Sequence, residues 1–191
     1  MGISQQLAAS RLIQPGVCTS STRPASPYEG QCIYETDTDR MYVWDGSAWS
    51  LTWMKTMPSF FATRTSNVTV SNSPNALVFD NSVVNDGSCY STSNGRFTAP
   101  VTGKYWLSTT VLTQLDTNGC DIRFSKNGTI MSEYAGFSMT GSGNAHRQTE
   151  ITGIVSLTAN DYITVNPFST STIYVYGDTH GHTRFSGHLV I

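Results

Sequence analysis

Charged residues are scarce in this sequence: Asp, Glu, Lys and Arg make up 13% of its 191 residues, about half of the roughly 25% found in ordinary soluble domains. The formal net charge is −2, and the basic residues are scattered along the chain. A protein that holds nucleic acid by its phosphates normally presents clustered Lys and Arg. We therefore expect no nucleic-acid partner.

Long apolar runs are missing as well. No segment approaches the roughly 20 apolar residues that a transmembrane helix needs, and residues 1–12 contain neither the basic stretch nor the apolar core of a secretory signal. Helical spacing is confined to Ile3, Leu7, Ala8 and Leu12. It predicts at most a short helix at residues 3–14. We expect a protein that does not insert into membranes and is made without a secretory signal.

Sequence patterns of enzymes are lacking too. The chain contains no nucleophile elbow, phosphate-binding loop or zinc-protease helix motif, and its scattered acidic residues single out no glycosidase pair. The cysteines, Cys18, Cys32, Cys89 and Cys120, are not spaced for a metal site. We expect no enzymatic activity, no cofactor and free thiols. Oxidation of Cys18 with Cys32, or of Cys89 with Cys120, stays open.

One short pattern would suit a metal ion. In His180-Gly181-His182 the two imidazoles would share one face of a strand, and three chains about an axis would bring several together. Gly177, Asp178 and Gly181 instead favour a loop, where paired histidines are usually plain polar surface. We predict no metal site and keep His180 and His182 as the candidates to be checked.

The amino-terminal part of the chain predicts two segments. Residues 1–27 form an extended arm, because Pro24 and Pro27 withhold backbone donors from a strand or helix. Residues 28–57 predict a small β-meander that serves as an anchoring unit. Its strands are the alternating segments Gln31 to Glu35, Arg40 to Trp44 and Trp49 to Trp53.

Three tryptophans make this meander a candidate docking unit. Trp49, Leu51 and Trp53 are spaced two residues apart on one strand, and Trp44 lies on the preceding strand. Side chains two residues apart in a strand point to the same side, so the aromatic side chains are expected largely on one face. A unit with so few strands cannot bury that face by itself. Packing on the chain's own second domain is one interpretation. The functional interpretation is that Trp44, Trp49 and Trp53 anchor the protein to another subunit or a larger particle.

Residues 58–191 predict a β-sandwich, because short strands alternate with turn residues about every eight to twelve positions. The clearest strands are Leu77 to Phe79, Gly103 to Val111, Asp121 to Phe124, Glu150 to Leu157, Tyr162 to Val165, Ile173 to Tyr176 and Phe185 to Ile191. Asn127-Gly128 predicts a hairpin turn, since both residues tolerate positive φ. Residues 136–143 are rich in Gly, Ser and Met and predict a loop.

Three segments of this region, taken in order, resemble one known family. The first holds Gly95, Phe97, Pro100, Gly103 and Tyr105, the second holds Asp161, and the third holds Phe185, Ser186 and Gly187. These residue types at these spacings resemble the motif of the complement globular-head family, a branch of the tumour-necrosis-factor-like jelly rolls. Asn160 stands where that family usually has Gly, and Asn is the other residue that accepts a left-handed backbone.

The resemblance implies an all-β protein with a ten-stranded-type jelly-roll sandwich over residues 58–191, preceded by the arm and the meander. It also implies a homotrimer, since members of that family form threefold trimers. A collagen-like Gly repeat does not precede the domain, which separates this chain from the secreted animal members.

A second resemblance concerns the amino-terminal part. Residues 15–17, 22–24, 26–31, 34–38 and 44–49 are similar to a segment that recurs in tail fibres and other virion proteins of tailed bacteriophages. This resemblance implies a protein of the virion surface that is assembled in the host bacterial cytoplasm, with capsid or tail proteins as partners. It does not distinguish head from tail.

Two functions fit these observations. The first is structural: a trimeric head decoration or head-fibre protein, favoured because the chain has no long shaft. The second is a tail-fibre or baseplate tip that binds a host surface glycan through the loops Ala135 to Ala145 and Ser169 to His182. Its candidate glycan contacts are aromatic residues, which stack on sugars: Tyr134, Phe137, Tyr174 and Tyr176. A core or trimer-contact position is the alternative for each of them.

Overall fold

A computed structural model describes the protein at residues 15–70, 75–115, 120–138, 145–169 and 172–190. The chain divides into two compact units, Met1–Thr56 and Met57–Ile191. The short helix considered at residues 3–14 lies outside the described residues. Within the described ranges, no helix is long and apolar enough to cross a membrane.

The amino-terminal unit contains a four-stranded sheet. Its strands are β1 (Gly16–Cys18), β2 (Cys32–Glu35), β3 (Arg40–Trp44) and β4 (Trp49–Met54), in the order β1-β2-β3-β4. The strands β2, β3 and β4 form the antiparallel meander, whereas β1 runs parallel to β2. Strand β1 comes from the segment predicted as a free arm. It is held because parallel pairing and a 3.0 Å hydrogen bond from Thr36 N–H to Cys18 O satisfy its backbone.

The segment after β1 also packs on the sheet, although its prolines predict a solvated linker. The Ser20 N–H and hydroxyl donate to the Asp37 carboxylate at 2.9 and 2.6 Å. The Arg23 guanidinium pairs with Glu35, whose side chain is fully buried, and lies 4.5 Å from the centre of the Tyr42 ring. A buried carboxylate requires such a partner, because desolvation strongly disfavours an unpaired charge. The ion pair therefore ties the arm to the meander.

The alternation of β4 is interrupted by a bulge. Tyr42 pairs with Leu51 while Met41 pairs with Trp53, so Thr52 is an additional residue with no direct partner on β3. The bulge exchanges the two faces beyond Leu51: Met54 is buried and Trp53 is 47% exposed. The expectation that Trp49, Leu51 and Trp53 share one face is therefore wrong at Trp53.

Arg23→Ala is expected to destabilise the amino-terminal unit, because it leaves the Glu35 carboxylate buried and unpaired. Breaking a buried ion pair costs about 3–5 kcal/mol, and the 32% exposure of Arg23 reduces the expected loss to about 2 kcal/mol. Urea unfolding followed by tryptophan fluorescence measures it. Lys55→Ala, which breaks the exposed Lys55–Asp39 pair, is the control and should cost less than about 0.5 kcal/mol. Equal losses in the two variants would contradict the role given to Arg23.

The carboxy-terminal unit is a sandwich of two antiparallel sheets, as the resemblance implied. The first, called the β10 sheet, contains β5 (Ser59–Thr63), β6 (Val68–Val70), β7 (Asn81–Asp86), β10 (Gly103–Leu115), β13 (Ala145–Leu157), β15 (Ile173–Val175) and β16 (Arg184–Val190). The second, called the β11 sheet, contains β8 (Tyr90–Ser91), β9 (Arg96–Thr98), β11 (Cys120–Lys126), β12 (Thr129–Ser138) and β14 (Tyr162–Phe168). The all-β jelly roll is thereby confirmed.

The long strand β10 organises its sheet. It pairs with β13 from Gly103 to Leu115 on one edge, and on the other edge with β16 and then β15. Strand β16 pairs further with β5, and β5 with β7. In the β11 sheet the order is β12-β11-β14-β9-β8. Every pairing in both sheets is antiparallel, so the core lies between two faces whose side chains alternate in and out.

Some local predictions need correction. Asn127 and Gly128 have φ values of 51° and 84° and join β11 to β12, which confirms the hairpin turn. Residues 77–79 are irregular instead of forming a strand: Leu77 N–H donates to Val165 O at 2.7 Å, but Phe79 N–H bonds the Tyr90 side chain instead of a strand backbone. Residues 136–138 of the predicted loop are strand instead, since β12 continues to Ser138 through its pairing with β11. Residues 139–144 lie outside the described residues.

Phe185 lies at the centre of the sandwich core. Its ring centre is 4.8 Å from that of Phe60 and 5.8 Å from that of Phe124, so it contacts both sheets. Phe97 stacks on Phe60 at 4.9 Å and meets Tyr105 edge-on at 5.2 Å. The motif residues Phe97, Tyr105 and Phe185 are all fully buried. Each such ring removes a large apolar area from water, which is the main stabilising term of the fold.

The turn that contains Pro100 leads the chain from β9 into β10. The Tyr105 hydroxyl donates to Val101 O at 2.7 Å and closes this turn from inside the core. Gly103 begins β10, and a Cβ on it would lie 2.7 Å from Leu189 Cδ1. Pro100 and Gly103 therefore turn the chain at a point where Leu189 of the closing strand β16 packs closely.

Two further motif glycines lie where neighbouring backbone leaves no room for a side chain. Gly95 has a φ of +70°, and a Cβ on it would lie 2.5 Å from Leu77 O. A Cβ on Gly187 would lie 2.4 Å from Leu107 Cδ2 and 2.8 Å from Trp106 O. The absence of a side chain at these positions lets residues 77–78 cross Gly95 and lets β16 pack against β10.

Gly95→Ala is expected to destabilise the carboxy-terminal unit by about 2–4 kcal/mol, because it combines a left-handed φ with a backbone clash. Gly128→Ala is the matched control. Its φ is +84°, but the nearest atom to the new methyl is the Tyr162 hydroxyl at 3.5 Å, so the loss should be about 1 kcal/mol. Thermal unfolding by circular dichroism compares the two variants. A loss in Gly95→Ala no larger than that in Gly128→Ala would show that the clash with Leu77 is relieved.

Candidate interaction surfaces

The outward side of the β10 sheet carries an apolar row. Odd-numbered residues of β10, such as Tyr105 and Leu107, are fully buried, so its even-numbered residues point outward. Trp106 pairs with Ile154 of β13 and with His188 of β16. The Trp106 and His188 rings lie 5.4 Å apart, and Ile154 is 52% exposed.

A neighbouring row on the same side is small and uncharged. Ser108 pairs with Thr152 and with Ser186, and Ser186 pairs with Phe61 of β5. The Thr152 and Ser186 hydroxyls donate within the row, to Ser108 Oγ at 3.1 Å and Ser108 O at 3.4 Å. Because these hydroxyl groups already bond within the row, another protein can cover this surface without leaving their hydrogen-bond donors unpaired.

The edge strand β7 extends this surface. All its residues are exposed, with Val83 at 57% and Val84 at 40%. Contiguous exposed apolar residues of this kind mark protein contact sites. We call the outward surface of the two rows and β7 the β10 face. Its members are Phe61, Val84, Trp106, Ser108, Thr152, Ile154, Ser186 and His188.

The amino-terminal sheet also has an exposed row. Val17, Tyr34, Met41 and Trp53 are register partners across all four strands. Val17 is 71% and Trp53 47% exposed. We call these residues the Trp53 row. Of the other two anchoring candidates, Trp44 and Trp49 are direct partners on β3 and β4, pack edge-to-face at 5.5 Å and are partly buried. The pairing register does not join them to the Trp53 row.

The four candidate glycan residues do not form one platform in the described residues. The Tyr134 hydroxyl donates to Ile154 O at 2.6 Å and its ring packs on Gly153. The Tyr176 hydroxyl donates to Gln114 Oε1 at 2.5 Å. Both side chains therefore make structural contacts. Phe137 and Tyr174 are 65% and 50% exposed, but they belong to different sheets.

The His180-Gly181-His182 segment is a loop, as its glycines predict. The Asp178 carboxylate pairs with His182 Nδ1 and accepts the His180 N–H at 3.0 Å. The hydrogen bond from His182 is the main reason that the pKa of Asp178 lies below its ordinary value. The two imidazole rings are 5.8 Å apart. In the described part of the chain no group of three or more His, Cys, Asp or Glu residues is arranged to hold a metal ion.

All four cysteines are free thiols. Cys18 pairs in register with Glu35, three residues beyond Cys32, so the two cysteines point to opposite faces of the sheet. Burial raises the pKa of Cys89 to about 11 and that of Cys120 to about 12. Both buried groups are therefore protonated near neutral pH and unreactive.

The turn before β14 contains the motif residue Asp161. Asn160 adopts a φ of 73°, as expected from an Asn in place of Gly. The Asp161 carboxylate accepts Lys126 Nζ at 2.8 Å, Asn127 Nδ2 at 2.7 Å and Thr158 N–H at 2.8 Å. The hydrogen bond from Lys126 is the main cause, with the other two bonds, of a pKa of Asp161 lowered to about 2. Asp161 therefore joins this turn to the Asn127-Gly128 hairpin.

The ionised Asp161 carboxylate stabilises the fold above the pKa of an unfolded Asp, near 3.9, and this contribution is lost as the pH falls toward 2. Asp161→Asn should therefore lower the urea midpoint at pH 6. The difference from the native protein should shrink between pH 4 and pH 2. Glu133→Gln, an exposed carboxylate on β12, is the control and should change little. A difference that stays constant with pH would contradict the role of the Asp161 charge.

Comparisons with known proteins agree with this architecture. The C1q domain family matches residues 59–190. The globular domain of zebrafish complement 1qA is 14% identical, with coverage of 71% of this chain and 98% of that domain and a TM-score of 0.54. Murine APRIL at pH 5.0 is 15% identical, with coverage of 70% and 99% and a TM-score of 0.55. The Eiger TNF of S. frugiperda is 9% identical, with coverage of 72% and 94% and a TM-score of 0.57. No curated protein matches the chain.

At such low identities the solved structures show the fold alone. The family match is stronger, because it covers more than half of the chain and contains every motif residue from Gly95 to Gly187. It also agrees with the carboxy-terminal unit that the contacts separate from the meander. The chain belongs to the C1q domain family.

Proposed function

We propose that this chain is a trimeric structural protein of a tailed-phage virion, a head decoration or head-fibre protein. Its jelly roll self-associates and its amino-terminal unit anchors it to the particle. The single observation that supports self-association is the β10 face, where Ile154 is 52% exposed beside Trp106. The C1q and tumour-necrosis-factor-like families to which the fold is related form trimers. This favours other copies of the same chain, and not a foreign protein, as the partners that cover the β10 face.

The chemistry of the β10 face suits a contact between identical subunits. Its centre is apolar or carries hydroxyls that are already bonded to each other, while charged residues such as Lys104 and Arg184 lie at its margin. Charge depletion at the core with aromatic enrichment is typical of protein interfaces. Closed rotational symmetry then covers the same face on every subunit.

The native protein is expected to elute at three times the 20.8 kDa chain mass in size-exclusion chromatography with light scattering. Ile154→Glu should give folded monomers, because Ile154 is exposed in one chain while a carboxylate in an apolar interface is strongly unfavourable. Phe137→Glu introduces the same charge at an exposed position of the β11 sheet and should stay trimeric. A native protein that runs as a compact monomer at micromolar concentration would overturn the trimer.

The Trp53 row supports the anchoring role. Val17, Tyr34, Met41 and Trp53 present an apolar strip across a sheet too small to bury a second face. This sheet lies in the segment whose sequence resembles virion proteins of tailed phages. We therefore place the anchor at Trp53 and Val17, and the protein on the virion surface after assembly in the bacterial cytoplasm.

Incorporation into particles tests the anchor. Replacing both Val17 and Trp53 by Ser should remove the chain from purified particles, as measured by quantitative mass spectrometry, while leaving the trimer intact. Tyr28→Ser is the matched control, because Tyr28 is 70% exposed outside the row. Normal incorporation of the double variant would reject the Trp53 row as the anchor. Absence of the native chain from particles would reject the virion assignment.

The alternative function is a tail-fibre or baseplate tip that binds a host surface glycan. Exposure of Phe137 and Tyr174 is the observation that favours it. The two functions differ in copy number: a decoration protein occurs many times over the head, and a tip protein a few times at the tail. Labelling of the protein on intact particles, viewed by electron microscopy, distinguishes them.

A further inference from the structure

A polar cavity of about 230 Å³ opens on the outward side of the β11 sheet. Ser125, Thr164 and Asn166 of β11 and β14 form its floor, and Asn94, Arg96 and Tyr162 form its rim. It lies on the sheet opposite the one that carries the β10 face. It therefore differs from the β10 face and from the Trp53 row, and it does not depend on the proposed virion role.

The floor of the cavity is polar and buried. Ser125, Thr164 and Asn166 are only 2–6% exposed, although all three line the cavity. Ser125 pairs with Thr164 across the β11–β14 ladder, and the Thr164 hydroxyl donates to Asn166 Oδ1 at 2.7 Å. A sheet surface covered by protein normally carries apolar residues. Hydroxyl and amide groups in this position suit a ligand that is itself rich in hydroxyls.

The rim supplies a cation, the guanidinium of Arg96. The Arg96 guanidinium lies 4.0 Å from the centre of the Tyr162 ring, and within the described ranges it forms no ion pair. Stacking uses the flat face of the guanidinium and leaves its N–H edge available for a bidentate acceptor. Asp161, beside Tyr162, is already bound to Lys126. The described residues that line the cavity include no carboxylate.

The lining also sets the size and shape of a ligand. The cavity volume is below the roughly 300 Å³ at which sites for drug-sized molecules begin. The cavity therefore accepts one monosaccharide-sized group. Ile130 and Tyr162 add apolar groups to the lining, which suit the C–H face of a sugar ring. Asn94 also lines the cavity, and its Oδ1 accepts the backbone N–H of Arg96 at 3.1 Å.

We propose that this cavity binds a single carboxylate-bearing sugar residue, with the carboxylate on Arg96 and the hydroxyl groups on the Ser125, Thr164 and Asn166 floor. A uronic acid or a nonulosonic acid has this chemistry. The residue can be a free sugar acid or the end of a glycan chain. The charge of Arg96 distinguishes either from a neutral sugar, because a buried or stacked guanidinium recognises a carboxylate in a geometry that no hydroxyl reproduces.

Two-dimensional NMR of the full chain tests the proposal, with glucuronate and N-acetylneuraminate as probes and their methyl esters as uncharged counterparts. Both acids should bind in the millimolar range and shift the resonances of Arg96, Tyr162 and Thr164. The esters should bind at least about tenfold more weakly, since a charge-assisted hydrogen bond is lost. Repeating the titration with the same residues at the end of an oligosaccharide separates the two sources: tighter binding of the linked form indicates a glycan, and tighter binding of the free form a soluble acid.

Two variants provide the matched comparison. Arg96→Gln should weaken binding of the acids by about tenfold or more, and Arg147→Gln, which removes an exposed arginine from β13, should leave it unchanged. Chemical-shift mapping on the native protein keeps the test valid if Arg96→Gln affects folding. Equal affinity for acid and ester, shifts away from Arg96 and Tyr162, or no binding of either acid would each overturn the proposal.

Discussion

The hydrogen-bonded register of strand β10 is the constraint on which the rest of the carboxy-terminal unit depends. Over 13 residues it bonds β13 along one edge and β16 and β15 along the other. Side chains of paired strands share their direction at each register position, so the alternation of β10 extends to its neighbours. Tyr105 and Leu107 thereby enter the core with Phe185, and Trp106 emerges with Ile154. A slip by one residue would exchange core and surface throughout the sheet.

The two outward surfaces of the sandwich have different chemistry as a result. The β10 face is apolar at Trp106 and Ile154 and uncharged at Ser108. The outward side of the β11 sheet carries ion pairs and the Arg96 cavity. The proposed self-association through the β10 face would leave the outward side of the β11 sheet open to solvent.

The amino-terminal unit is stabilised in another way. Its sheet is too small for a large apolar core, and the buried residues include Ile33 and Met54 beside the fully buried carboxylate of Glu35. The Arg23–Glu35 pair replaces part of the missing core by tying the preceding segment across the meander. An intact buried ion pair can add little net stability, but loss of one partner is costly because it leaves an uncompensated buried charge. This arrangement leaves the opposite face, with the Trp53 row, uncovered by the segment that holds Arg23.

The sequence by itself determined the features that depend on neighbouring residues. Alternating patterns predicted most strands, Asn127-Gly128 predicted its turn, and the motif from Gly95 to Gly187 predicted the jelly roll, because backbone geometry and side-chain alternation are local properties. The trimer and the virion assignment stay predictions, since they rest on resemblance and on surface chemistry.

Only the tertiary structure decided which distant groups meet. The bulge at Thr52 exposes Trp53, and the Arg23–Glu35 pair joins an arm that its prolines predicted to be free. Arg96 and Thr164 are far apart in the chain and share a cavity because their strands β9 and β14 are neighbours in one sheet. Contacts of this kind follow from register and packing, which no short stretch of sequence encodes.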